Sequence, residues 1–151
     1  MMFSVKNMNI SHVSQIAELE KECFSVPWSE KALKEELDNP ASHFLVAESN
    51  GVTGYIGVQE ICGEAYITNI AVFPKYRKCG IGRMLLKRAI DGAKERGCSF
   101  ISLEVRISNV PAVSLYESEG FKKIGIRKNF YSSPSEDGAI YTKYFSEEVS
   151  E

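Results

Sequence analysis

Residues 77–86, R-K-C-G-I-G-R-M-L-L, constrain the fold of this chain more than any other segment. They follow the apolar run of residues 67–73, which is typical of a buried strand, and lead into a strongly amphipathic helical pattern. Gly80 and Gly82 allow a tight turn that gathers backbone N–H groups at the helix N-terminus, where the helix dipole favours an anion. The segment therefore predicts a strand–turn–helix unit with an anion site. It matches neither the NTPase phosphate loop nor the three-glycine dinucleotide fingerprint.

Length and composition indicate one globular domain, which we predict to span residues 1–151. The chain is 44% hydrophobic and 25% charged, as is ordinary for a globular protein. Its formal net charge is only -2, so we predict no nucleic-acid partner. The cations of residues 75–88 are local and suit a compact anionic ligand.

We predict neither a membrane span nor a secretory signal. No apolar run approaches the ~20 residues that cross a bilayer, and the N-terminus lacks the charged-then-apolar order of a signal peptide. Cys23, Cys62, Cys79 and Cys98 form no C-x-x-C pair, which predicts a reducing cytoplasm and neither disulfides nor a metal site. For Cys79, a small residue that fits the turn is favoured over a reactive thiol.

Periodicity predicts seven strands and four helices in the order β-α-α-β-β-β-α-β-α-β-β. This order indicates an α/β fold, more closely an α+β mixed sheet with helices on both faces. The predicted strands are residues 3–6, 44–48, 52–60, 65–73, 100–106, 121–126 and 139–145, and the predicted helices are residues 12–23, 30–37, 82–96 and 110–119.

Capping and turn residues mark several of these boundaries. Ser11, Ser29 and Asn109 are predicted helix N-caps, because their side chains can accept from free backbone N–H groups. Asn50-Gly51 predicts a tight hairpin. Residues 132–138, rich in Ser, Pro, Asp and Gly, are predicted to form a loop.

Five segments resemble motifs of one enzyme family. The R-x-x-G-x-G of residues 77–82 resembles the acetyl-CoA pyrophosphate loop of the GNAT (GCN5-related) N-acetyltransferases. L-E-V-R-I-S-N at residues 103–109 and F-S-V-P-W-S-E at 24–30 resemble narrower motifs of the ribosomal-protein-alanine (RimI-type) members. N-I-A-V-F-P at residues 69–74 and A-V-S-L-Y-E-S-E-G-F at 112–121 resemble further motifs of that group. The chain is identified on these residues as a member of it.

The resemblance implies the GNAT fold over essentially the whole chain. It further implies transfer of an acetyl group from acetyl-CoA to the α-amine of an N-terminal alanine, with small-subunit ribosomal protein S18 as the expected acceptor. No metal and no membrane partner are expected. The protein is expected to be a monomer or a weak dimer. Two alternatives stay open: a broader protein N-terminal, lysine or small-amine acetyltransferase, and a non-catalytic acyl-CoA-binding module.

Two residues are candidate proton carriers. Glu104 lies on the polar face of the predicted strand 100–106, where burial would raise its pKa toward the operating range, but an ion pair with Arg106 explains the pattern equally well. Tyr116 keeps its proton at neutral pH and can protonate a thiolate, although the pattern alone favours a core aromatic residue. The resemblance assigns Glu104 as the proton acceptor and Tyr116 as the proton donor.

The resemblance also implies an acetyl-CoA site. Backbone groups of Ile70, Ala71 and Val72 are expected to contact the acetyl group and pantetheine arm, because this strand is splayed from its neighbour in the family. Asn109 matches a cofactor-contacting position as well as an N-cap. The pyrophosphate is expected to bind backbone N–H groups and flanking cations of one continuous run: Arg77, Lys78, Cys79, Gly80, Ile81, Gly82 and Arg83.

Two segments are expected to flank the acceptor groove in this family: residues 24–28 with Trp28, and residues 127–138 with Tyr131. The second segment resembles the family's R-x-N-Y-Y and D-G-R-x-D-A motifs but departs from both. Phe130 replaces the first tyrosine, and the second motif lacks its arginine. These departures put the exact protein acceptor in doubt and leave the acetyltransferase assignment intact.

Overall fold

The structure, a computed structural model, describes residues 2–145. The elements follow the predicted order, which confirms the mixed α/β fold. The strands are β1 (Ser4–Asn7), β2 (Leu45–Glu48), β3 (Val52–Ile61), β4 (Glu64–Val72), β5 (Phe100–Arg106), β6 (Lys122–Tyr131) and β7 (Glu136–Tyr144). The helices are α1 (Val13–Cys23), α2 (Glu30–Leu37), α3 (Ile81–Glu95) and α4 (Val110–Ser118). The single domain of residues 1–151 stays a prediction, and its two ends lie outside the described residues.

The strands form one sheet in the order β1-β2-β3-β4-β5-β7-β6. All neighbouring pairs are antiparallel except β4 and β5, which are parallel and are joined by α3 as the crossover helix. The parallel pairing covers only three positions, from Glu64 opposite Phe100 to Tyr66 opposite Ser102. Beyond Tyr66 the two strands separate, which opens the middle of the sheet.

Helices cover both faces of the sheet, as predicted. Tyr55 and Ile56 are adjacent on β3, so their side chains lie on opposite faces, and each is fully buried in a different core. The Ile56 core contains the apolar stripe of α3, with Leu85 and Leu86 fully buried. Each such leucine contributes about 1.5–3 kcal/mol of burial free energy. The Tyr55 core contains the apolar residues of α1 and Leu33 of α2.

The predicted N-caps are confirmed at two of three positions. The side chains of Ser29 and Asn109 accept hydrogen bonds from backbone N–H groups three residues on, at 3.1 and 3.3 Å. The prediction for Ser11 is wrong: a 3-10 turn, Ile10–His12, precedes α1, and Asn9 caps it. Asn9 is the cap because its backbone N–H donates a hydrogen bond to Nδ1 of His12, which completes a capping box.

The predicted hairpin at Asn50-Gly51 is confirmed, with both residues at positive φ. The predicted loop of residues 132–138 is wrong in part, because β7 begins at Glu136, which pairs with Tyr131 of β6. β6 is an edge strand with nearly every residue exposed, so its sequence has little of the apolar pattern that marks a strand. Among residues 2–145, no helix has both the length and the apolar character needed to cross a membrane.

Candidate active site

A cavity of about 520 Å³ opens where β4 and β5 separate. Its walls come from the segment between α1 and α2, from β4, β5 and α4, and from the end of β6. The cavity brings together six residues that the sequence singled out: Trp28, Ile70, Glu104, Asn109, Tyr116 and Tyr131.

A β-bulge shapes the cavity floor. Gly57 of β3 pairs with Asn69 and Val58 pairs with Ile67, which leaves Thr68 of β4 as the extra residue. The Thr68 hydroxyl is buried without a hydrogen-bond partner in the described chain, and Thr68 lines the cavity. A Cβ on Gly57 would lie 2.5 Å from that hydroxyl, so only glycine fits. This bulge was not predicted, although a glycine inside a strand signals one.

Glu104 projects from β5 into the cavity and is 26% exposed. Its Oε2 atom lies 2.8 Å from Nε of Arg127 on β6. The alternative of an ion pair with Arg106 is wrong, because Arg106 binds Glu136 at 3.3 Å and the backbone carbonyl of Pro134 at 2.8 Å. Glu104 therefore does form an ion pair, but its partner is Arg127, which is distant in the sequence.

Tyr116 lies on α4, is 4% exposed and packs against Phe121. Burial raises the pKa of its phenol well above the usual range, and the nearby Tyr131 raises it further. Within residues 2–145 we find no hydrogen-bond partner for its hydroxyl, which reaches a wall of the cavity. Tyr116 is thus a core aromatic residue whose hydroxyl reaches the cavity, and its role as the proton donor stays a prediction.

The glycine turn leads into α3 as predicted. Gly80 is the N-cap with φ of 82°, and Lys78 has φ of 63°. The first helical N–H with a backbone acceptor is that of Met84, 3.0 Å from the Gly80 carbonyl. For the N–H groups of residues 78–83 we find no backbone acceptor in the described chain. A Cβ at Gly80 would meet nothing within 4 Å. Free donors beside open space fit a pyrophosphate.

The two arginines at the ends of this run bind protein groups. Arg77 donates to the Val72 carbonyl at 3.1 Å and to Cys23 Sγ at 3.3 Å, which ties the end of β4 to the end of α1. Arg83 pairs with Glu119 after α4. These contacts position the loop, and a direct contribution of either arginine to the pyrophosphate stays a prediction.

Tyr131 of β6 and Trp28, which lies between α1 and α2, both line the cavity. The Tyr131 ring is covered by the Arg106 guanidinium, 4.6 Å from its centroid. Burial, followed by the Glu104 charge, raises the pKa of Tyr131 to about 12. The Trp28 indole packs against Phe44, with ring centroids 5.7 Å apart. These contacts orient both rings, and the part of Trp28 and Tyr131 in binding a substrate stays a prediction.

A buried carboxylate behind the cavity was not predicted. Glu20 of α1 has no exposed surface and accepts hydrogen bonds from Tyr55, Asn69 and the backbone N–H of Trp28. Two of these donors line the cavity. The available signal was that Glu20 falls on the apolar stripe of α1, four residues after Ile16.

The cysteines are free thiols in the structure. Cys79 is exposed in the glycine turn and Cys98 is buried, while Cys23 lines the cavity. Burial raises the pKa of Cys23, although Arg77 lowers it. In the described part of the chain, no three His, Cys, Asp or Glu side chains are grouped to hold a metal ion.

Comparison with known proteins identifies the family that this architecture belongs to. The profile of the Acetyltransferase (GNAT) family matches residues 13–121. A Bacillus subtilis (strain 168) relative, provisionally named a [ribosomal protein bS18]-alanine N-acetyltransferase, is 40% identical over 139 residues, covering 91% of this chain and 92% of its own. The Escherichia coli (strain K12) protein of that name is 34% identical over 137 residues, covering 91% of each chain.

A solved structure shares the fold along nearly the whole chain. The crystal structure of the ribosomal-protein-S18-alanine N-acetyltransferase from Escherichia coli superimposes with a TM-score of 0.87 at 32% identity. The superposition covers 95% of this chain and 94% of the E. coli chain.

Proposed function

The chain belongs to the GNAT family and is an acetyl-CoA-dependent N-acetyltransferase, and we propose that it acetylates the α-amine of the N-terminal alanine of ribosomal protein bS18. One observation carries this proposal: a carboxylate and a protonated phenol line the same cavity in a chain whose curated relatives bear that activity in their names. The cytoplasm is the proposed compartment, and a monomer or weak dimer is the proposed form.

The donor site has two parts. The backbone N–H groups of residues 78–83 supply the donors that a pyrophosphate requires, at the positive end of α3. The separation of β4 from β5 leaves Ile70, Ala71 and Val72 without a paired strand on the β5 side. Their main-chain groups, apart from the Val72 carbonyl that Arg77 binds, can contact the pantetheine arm and the acetyl carbonyl there. Asn109, which lines the cavity and caps α4, adds a polar contact.

Acetyl-CoA supplies an acetyl thioester. Its carbonyl carbon is bonded to the sulfur, and that C–S bond breaks so that the sulfur leaves as a thiolate. The acceptor amine forms its new N–C bond to that carbon, and Glu104 takes the proton that the nitrogen loses. Tyr116 gives its proton to the departing sulfur. Backbone N–H groups of β4 stabilise the oxyanion that forms in between. The products are an N-acetyl peptide and the free thiol of CoA.

The cavity wall favours a peptide acceptor over a small polyamine. Phe24, Val26 and Trp28 from the segment between α1 and α2, and Phe130 from β6, give apolar and aromatic surface to the cavity that Glu104 lines. A polycation gains little from such a wall, whereas peptide side chains bury apolar area there. A non-catalytic acyl-CoA-binding module is the weaker alternative, because a sensor needs neither Glu104 nor Tyr116.

A panel of acceptors tests the proposal. Acetyl-CoA turnover is measured with bS18-derived peptides that begin with Ala, Ser, Met or Gly, beside a lysine peptide with a blocked N-terminus and beside spermidine. We expect the Ala peptide to have the highest kcat/KM and the blocked peptide to be inert. Turnover of spermidine alone would replace the proposal with the small-amine alternative, and binding of acetyl-CoA without any turnover would support the sensor.

A further inference from the structure

The ion pair between Glu104 and Arg127 joins two strands that are not neighbours. β7 lies between β5 and β6, so the Arg127 side chain reaches across it to place Nε 2.8 Å from Oε2 of Glu104. Gly138 of β7 is the residue opposite Arg127 in the sheet, and a Cβ on it would lie 3.2 Å from the Tyr131 ring and 3.3 Å from Phe130. The contact is therefore a specific feature of this part of the sheet.

Glu104 stands between two cavities. It lines the large cavity with Tyr116, and it also lines a smaller one of about 150 Å³ with Arg127, Tyr66 and Ser102. Arg127 thus approaches the carboxylate from the small cavity, and the large cavity stays open to the acceptor. One side of Glu104 is held while the other faces the reaction space.

Arg127 is the cation that contacts Glu104 in the described chain. Arg106, the other cation on the walls of these cavities, is committed to Glu136 and to the carbonyls of Ser132 and Pro134. The remaining titratable groups that line the two cavities have raised pKa values and are neutral near pH 7: Cys23, Tyr66, Tyr116 and Tyr131.

We propose that Arg127 is the positioning residue of the proton acceptor: its guanidinium holds the Glu104 carboxylate in the one orientation that faces the acceptor amine. This inference rests on the proposed role of Glu104 in the proposed function. Arg127 itself is 59% exposed and is not a catalytic residue, since its contact is to Glu104 and not to the reacting atoms.

A double-mutant cycle tests whether Arg127 acts through Glu104. We expect Arg127→Gln to lower kcat about tenfold, because a base displaced by a fraction of an ångström loses part of its contribution. The KM for acetyl-CoA should stay unchanged. In a Glu104→Gln background, the same substitution should have no further effect. An equal loss in both backgrounds, or no loss in the wild type, would overturn the inference.

Two further variants separate charge from structure. Arg127→Lys keeps the positive charge beside Glu104, so we expect it to recover at least a third of wild-type kcat. Lys123→Gln removes an exposed cation from the same strand and should leave kcat as it is. Equal losses in all three variants would mean that β6 needs positive charge in general, and the inference would be wrong.

A spectroscopic readout decides the question without any acceptor. The side-chain carboxyl ¹³C resonance of Glu104 is compared at pH 7 in the free wild-type, Arg127→Gln and Lys123→Gln proteins. We expect the resonance to move in Arg127→Gln alone. An unmoved resonance would overturn the inference whatever the acceptor is. A wild-type enzyme that turns over no peptide would instead overturn the proposed function and leave this comparison valid.

Discussion

The buried carboxylate of Glu20 accepts a hydrogen bond from the Tyr55 hydroxyl, with the two oxygens 2.5 Å apart. Neither side chain has any exposed surface. The same carboxylate binds Asn69 at 2.8 Å and the backbone N–H of Trp28 at 2.9 Å. One acid thus connects α1, β3, β4 and the segment that carries Trp28, and neutral donors stabilise its charge.

Replacement of Glu20 should destabilise the fold strongly. Glu20→Ala leaves three buried donors without an acceptor, so we expect the free energy of unfolding to fall by ~3–5 kcal/mol. Urea denaturation followed by circular dichroism measures this change. Glu18→Gln, on the exposed face of the same helix, is the control and should change stability by less than ~0.5 kcal/mol. A loss below ~1 kcal/mol in Glu20→Ala would mean that water replaces the carboxylate.

Stability should decline above pH 10. The pKa values of Tyr55 and Tyr116 are raised in the folded state, chiefly by burial, so the folded protein holds protons that the unfolded chain releases near pH 10. The resulting contribution is fully present below pH 10 and is lost as the pH rises further. Chemical denaturation from pH 8 to 11 measures the decline. Tyr55→Phe should make the slope shallower, and Tyr144→Phe, at an exposed position, should leave it unchanged.

Loss of Gly80 should weaken the binding of acetyl-CoA beyond its cost to the fold. Gly80 has φ of 82° and Gly63 has φ of 78°, and a Cβ on either would meet nothing within 4 Å. Alanine at each position therefore carries a similar backbone strain of about 1 kcal/mol. Only Gly80→Ala alters the loop whose N–H groups we assign to the pyrophosphate.

Isothermal titration with acetyl-CoA compares the two glycine variants. We expect the Kd to rise about tenfold for Gly80→Ala, the result of losing one or two charge-assisted hydrogen bonds. The Kd of Gly63→Ala should equal that of the wild type. Equal acetyl-CoA affinities for the two variants would mean that this loop does not bind the pyrophosphate.

Tyr116→Phe should lower kcat about a hundredfold, since a positioned general acid contributes at least that much. The acetyl-CoA Kd should stay as it is, because the ring and its packing on Phe121 are retained. The raised pKa of Tyr116 adds a second expectation: the phenol stays protonated, so kcat should show no alkaline limb from it below pH 10. Full turnover in Tyr116→Phe would exclude Tyr116 as the acid, whereas an alkaline limb near pH 8 that this variant abolishes would contradict the raised pKa.

The features of the fold that the sequence predicted correctly are those that depend on local sequence patterns. The strand–turn–helix unit around Gly80 and the alternation along β5 are set by residues that neighbour each other in the chain, and both were placed within one residue. The resemblance to the family motifs singled out Glu104 and Tyr116, and both residues line the same cavity.

The parts that were missed depend on pairing between distant segments. Arg127 lies on β6 and Glu104 on β5, and their contact depends on the position of β7 between these two strands. No spacing in the sequence encodes that strand order. The bulge at Thr68 follows from the register of β3 against β4. Glu20 was missed because burial of a carboxylate is rare, and two of its donors, Tyr55 and Asn69, lie far from it in the sequence.

The most direct test of the proposed acetyl transfer uses bS18 itself. Purified bS18 with a free N-terminal alanine is incubated with acetyl-CoA and the wild-type or Glu104→Gln enzyme, and the product is mapped by fragmentation mass spectrometry. We predict one acetyl group per bS18 molecule, on the α-amine of the alanine, with the rate at least ~100-fold lower for Glu104→Gln. Acetylation of lysine side chains only, no acetylation, or an undiminished rate in Glu104→Gln would contradict the account.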